Sequence, residues 1–120
     1  MGRRGLIVAT AVLALAGCGA TPPQAPGAQA HALNKSLSAI STACGHATEI
    51  QEFTKEARDM TIAEHQAEKQ VDVLAAVYHR NRAWVFQGKS VAELVVITNT
   101  FLDECGLHAA ARRLRRATSG

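Results

Sequence analysis

From residue 31 onward, apolar side chains recur at alternating steps of four and three. Leu33, Leu37, Ile40, Cys44 and Ala47 make one stripe, and Ile50, Phe53 and Ala57 continue it with a slight drift. That spacing follows the 3.6-residue turn and predicts a first helix over 31–57. A break is expected near Arg58-Asp59-Met60. Thr61-Ile62-Ala63-Glu64 then reads as a capping box, in which the threonine bonds a first-turn amide and the glutamate reaches back. It opens a second helix over 60–87, with Ala67, Val71, Leu74, Val77, Tyr78 and Val85 on one broad face and Gly88 at its end. Ser90-Val91-Ala92-Glu93 is a second capping box. It opens a third helix over 90–117, with Val91, Leu94, Thr98, Phe101 and Cys105 on one side and Val95 and Leu102 widening the stripe. Strand-like alternation is hard to find apart from Val95-Val96-Ile97, and no proline follows Pro26. The expectation is all-α: an up-down bundle of three helices. Gly45 and Gly106 each follow a cysteine. Each either lets two helices approach closely or ends a shorter helix. Continuity is expected through Gly45, and Gly106 is open between the two.

The pattern before residue 31 has a different origin. Arg3 and Arg4 precede an apolar run from Leu6 to Ala16. The run is too short to cross a hydrocarbon core, which needs about 20 residues, but suits the apolar region of an export signal. It ends in Leu15-Ala16-Gly17-Cys18, which resembles the lipobox of bacterial lipoproteins. The resemblance implies that residues 1–17 are removed and that the Cys18 sulfur carries a diacylglycerol. It also implies a place on the outer side of the cell membrane. In a cell with two membranes the outer one is expected, because Gly19 rather than a retention aspartate follows the cysteine. Residues 19–30, with three prolines, two glycines and no charge, read as a disordered tether within an 18–30 segment. The folded domain is then 31–117.

Cysteine use follows from that resemblance. There are three cysteines, Cys18, Cys44 and Cys105. With Cys18 acylated, one pair remains, and an exported domain folds where disulfides form. Cys44 and Cys105 sit at similar depths in the first and third helices, which run parallel in an up-down-up arrangement. A disulfide between them is expected. It would close a loop of about 60 residues, worth roughly 4 kcal/mol by constraint of the unfolded chain. A domain of about 90 residues has little core to spare.

Charge changes the picture in one place. The formal net charge of +3 includes Arg3 and Arg4, so the processed chain is near neutral. Export and this balance exclude nucleic acid as a partner. The cations concentrate at the C-terminus, where Arg112, Arg113, Arg115 and Arg116 flank Leu114 on a weakly amphipathic helix. Such a tail can meet anionic lipid or an acidic wall polymer, or complement the dipole at a helix C-terminus.

Candidate chemistry is sparse. No Gly-x-Ser-x-Gly, phosphate loop, zinc signature, Cys-x-x-Cys or Glu-x-x-His occurs. No catalytic residue, metal ligand or cofactor is assigned, and an enzyme is not expected. The carboxylates lie at helical spacing among lysines and arginines, as on a solvated face. The one dense cluster of recognition-type residues is Tyr78-His79-Arg80-Asn81-Arg82-Ala83-Trp84-Val85-Phe86. It holds the sole Trp and the sole Tyr. Trp, Tyr and Arg dominate binding hot spots, so Tyr78, Arg82 and Trp84, with the four C-terminal arginines, are the expected partner-binding residues. The expected function is that of a non-enzymatic envelope interaction or accessory module meeting a protein, lipid or wall polymer. The alternative is an exported carrier of a small ligand, metal ion or haem, using His46, His79 or His108.

Overall fold

The computed structural model describes residues 22–54 and 57–119. The export signal and Cys18 lie outside them. Among the described residues there are four α-helices: α1 (Gly27–Glu49), α2 (Ala57–Asn81), α3 (Val91–Glu104) and α4 (His108–Thr118). A π-helical turn, Ile50–Thr54, follows α1, and a short hairpin, β1 (Val85–Phe86) and β2 (Lys89–Ser90), joins α2 to α3. The all-α expectation holds, and so does the Cys44–Cys105 disulfide, with its Cα atoms 5.5 Å apart.

The helices alternate in direction. The disulfide ties the far parts of α1 and α3, so these two run parallel. Along α2 and α4, Glu64 meets Ala110, Asp72 meets Arg113, and His79 meets Ala117. These two therefore also run parallel, opposite to the first pair. One core unites the bundle. Leu33, Ile40, Cys44 and Ala47 of α1 meet Ala67, Val71 and Leu74 of α2, Val91 and Leu102 of α3, and Ala110, Ala111 and Leu114 of α4.

The predicted bounds need five corrections. The first helix starts at Gly27, directly after Pro26, and so includes the end of the predicted tether. It passes through Gly45 unbroken, as expected, but gives way to the π-helical turn after Glu49. The side chains of Phe53 and Ala57, the last positions of the predicted stripe, are outside those described.

The second helix begins before Thr61, not at it. Asp59 in its first turn complements the helix dipole, and Met60 packs on the core. A capping preference of about 1 kcal/mol yields to that packing.

That helix also ends early. The Asn81 side chain accepts the Ala83 amide (3.0 Å), a local bond that competes with helix continuation. Val85-Phe86 then extends and turns back through Gln87-Gly88. Both turn residues have positive φ, 51° and 82°, the pair that a two-residue hairpin of matched twist requires.

The predicted third helix is two helices. Gly106 adopts φ 89°. Its amide donates to Asp103 (3.1 Å) and that of Leu107 donates to Leu102 (2.9 Å). This is a Schellman motif, and the accompanying apolar pair, Leu102 and Leu107, is fully buried. The serine box is borne out: Ser90 Oγ accepts from Glu93 N (3.1 Å) and Glu93 Oε1 accepts from Ser90 N (3.0 Å).

Candidate functional site

The cluster from Tyr78 to Phe86 forms one end of the bundle. Tyr78, Trp84 and Phe86 are half-buried and pack on the core, while Arg80 and Arg82 are exposed. Arg82 donates to the Tyr78 hydroxyl (3.1 Å), with its guanidinium carbon 5.9 Å from the ring centre. Tyr78 and Trp84 are thus both core lids and surface residues.

The chain before α1 completes this end. The Ala25 amide donates to the Val85 carbonyl (2.9 Å), and the Val85 amide donates to the Pro23 carbonyl (3.0 Å). Residues 23–25 therefore lie parallel to β1 as a third, minimal strand. Proline fits here because Pro23 contributes only its carbonyl. This corrects the expectation of a disordered tether through residue 30. Nothing local signals the pairing, since the prolines that suggest a linker equally suit an edge strand.

The C-terminal arginines divide into two pairs. Arg113 grips Asp72 of α2 through Nε (2.8 Å) and Nη2 (2.9 Å). Arg115 Nη1 donates to Asn99 (2.7 Å) and Asp103 (3.0 Å) of α3. These two staple α4 to its neighbours, while about half of each arginine side chain stays exposed. Between them Ala110, Ala111 and Leu114 are buried, so α4 is a bundle helix and not a free tail. Arg112 and Arg116, four apart, point outward with no ion pair among the described residues.

Charge follows this geometry. The Arg113 bond holds the Asp72 carboxyl below the usual carboxylate range and raises the arginine in turn. Asp103 is lowered by its bond from His108 and then by that from Arg115. Ser90 holds Glu93 low by donating its backbone amide and through its side chain. Glu64, expected to cap its own helix, instead accepts the Ala110 amide (3.0 Å) and so caps the start of α4. Leu107 at that start has no side-chain acceptor of its own.

The histidines are not gathered. His79 donates Nε2–H to the Ala117 carbonyl, and His108 bonds Asp103 (3.0 Å). His108 and Ala117 are the two ends of α4, about 13 Å apart along its axis. His46 lines a cavity of about 460 Å³ between α1 and α2 with Glu49, Ile50, Asp59 and Ile62. Among the described residues no three His, Cys, Asp or Glu side chains converge as metal ligands.

One surface feature is not legible in the sequence. The helix α3 buries Val91, Val95, Thr98 and Leu102 and so turns Val96 (66% exposed), Ile97 (49%) and Phe101 (41%) toward solvent. Phe101 had been expected in the core. No described helix is long and apolar enough to cross a membrane. Comparison with protein-family models, curated proteins and solved structures finds no match to this chain.

Proposed function

We propose that this chain is an exported lipoprotein of the cell envelope. It is cut before Cys18, acylated there, and held on the outer side of the membrane as a non-enzymatic interaction module. One observation carries the reading. Cys44 and Cys105 satisfy each other across the bundle, which leaves Cys18, at the end of Leu15-Ala16-Gly17-Cys18, as the remaining thiol. A disulfide suits an oxidising compartment, and a lone cysteine behind an export signal suits lipid. Two or three acyl chains hold firmly, at about 0.8 kcal/mol per buried CH₂. The partner is an envelope protein, anionic lipid or wall polymer. The accessible groups for it are Tyr78, Arg82 and Trp84 at the hairpin end and Arg112, Arg113, Arg115 and Arg116 on α4, of which Arg113 and Arg115 also hold the bundle together.

Intact mass of protein extracted from the membrane fraction tests this. The expected species starts at Cys18, carries the lipid, and loses it in Cys18→Ala. A mature protein with an unmodified Cys18, or one that keeps residues 1–17, overturns the reading. Crosslinking in cells, followed by identification of what co-purifies, then names the partner.

The cavity at His46 favours a second reading, that of a small-ligand carrier. Metal content and the absorption spectrum of protein purified from its host separate the two. A colourless, metal-free protein removes a haem or transition ion.

A further inference from the structure

The bundle is electrically polar along its length. There is no Asp or Glu between residue 22 and Glu49, none between Asp72 and Glu93, and none after Glu104. Folding collects these acid-free stretches at the hairpin end. That end holds the start of α1, the end of α2 with Arg80 and Arg82, the hairpin with Lys89, the end of α4 with Arg116, and the start of α3 with one exposed carboxylate, Glu93. All four cations are exposed. The opposite end carries Glu49, Glu52, Asp59 and Glu104.

The tether ends at the same place. Pairing of Pro23 and Ala25 with Val85 leaves only five residue steps from Cys18 to Pro23. Even fully extended they reach at most about 18 Å. A lipid on Cys18 thus holds the hairpin end within about 18 Å of the bilayer surface. The attachment point of the end that bears the cations is thereby kept within about two Debye lengths of it at physiological salt. Trp84 and Tyr78, half-buried at this end, are the residue types that settle at headgroup level.

We propose that the hairpin end, with Arg80, Arg82, Trp84 and Lys89, is a docking surface for an anionic phospholipid bilayer, which orients the bundle with its acidic end outward. The inference rests on acylation of Cys18. It selects lipid, among the partners considered above, for this end of the molecule.

Trp84 is the sole tryptophan, so all indole fluorescence reports this surface. The full-length processed protein, purified from membranes and checked by intact mass, is placed in nanodiscs of phosphatidylcholine with and without phosphatidylglycerol. Brominated lipid serves as the quencher. Trp84 is expected to be quenched and blue-shifted in the anionic discs, and released by 0.5 M salt, used as a condition on the order of a few ångströms of screening length. Each cation near an anionic surface is worth about fivefold, so Arg80→Ala/Arg82→Ala/Lys89→Ala lowers the docked-to-undocked ratio by about 100-fold. An unchanged helical circular-dichroism spectrum shows that this variant is folded. Acylated protein whose Trp84 is quenched in neither disc overturns this proposal and leaves the anchor standing. Protein whose mass shows no lipid overturns the anchor, and this proposal with it. A photocrosslinker at Gln87 that captures protein instead of phospholipid in cells also overturns the proposal.

Discussion

Gly106 stands where an L-residue is strained, at φ 89°. A Cβ there would also come within 2.7 Å of the Gln51 amide nitrogen. That nitrogen already donates to the Ala47 and Cys105 carbonyls (3.1 and 2.9 Å), tying α1 to the end of α3. Gly106→Ala is therefore expected to destabilise by about 1–2 kcal/mol, the cost of a left-handed L-residue, plus the displaced Gln51 bonds. The shift of the chemical-denaturation midpoint measures it. The neighbouring residues were only partly legible. Glycine after a cysteine is ambiguous in a string of letters: Gly45 is mid-helix and exposed, while Gly106 ends a helix. The difference lies in Leu107, which is buried against Leu102 only once the chain has turned at Gly106.

The third helix shows how spacing can find an element and misplace its core face. Steps of three and four define a stripe, but several overlapping stripes fit an apolar helix. Spacing suggested Phe101 as core and Leu102 as its flank. In the bundle Leu102 is fully buried and Phe101 is 41% exposed. Leu102→Ala is expected to cost about 3 kcal/mol, and Phe101→Ala less than half of that, in urea unfolding followed by circular dichroism. The salt bridge between α4 and α2 gives a pH signature. The fold depresses the Asp72 pKa, so its contribution is complete above the unfolded value of about 3.9 and is lost as pH falls through the lower folded value. Asp72→Asn should be less stable than the parent at pH 7, with the gap closing on acidification below about pH 4. The effect is small because both side chains are about half exposed. An unchanged gap down to pH 2 contradicts the assignment.

Across the molecule, a single covalent link joins α1 to the end of α3 and spans 61 residues. Cys44→Ala/Cys105→Ala is expected to lose about 4 kcal/mol, a large share of the 5–15 kcal/mol typical of a domain. Thermal melting with and without reductant checks it. Reduction should lower the parent's midpoint toward that of the variant and leave the variant unmoved. Local pattern determines much of this protein. The 3.6-residue period fixes the helical class, the Ser90 box fixes one helix start, and cysteine parity behind Leu15-Ala16-Gly17-Cys18 predicts the pair that closes the bundle. These signals act within a turn or two of the chain, or by elimination among three residues. Packing decides the rest. It turns the Glu64 carboxylate to the start of α4, pairs Arg113 and Arg115 with α2 and α3 at the surface, and lays Pro23 and Ala25 beside Val85. It also gathers acid-free stretches far apart in sequence at one end. Each of these joins groups 12 or more positions apart, and no local propensity or spacing carries information over that separation until the core brings the helices together.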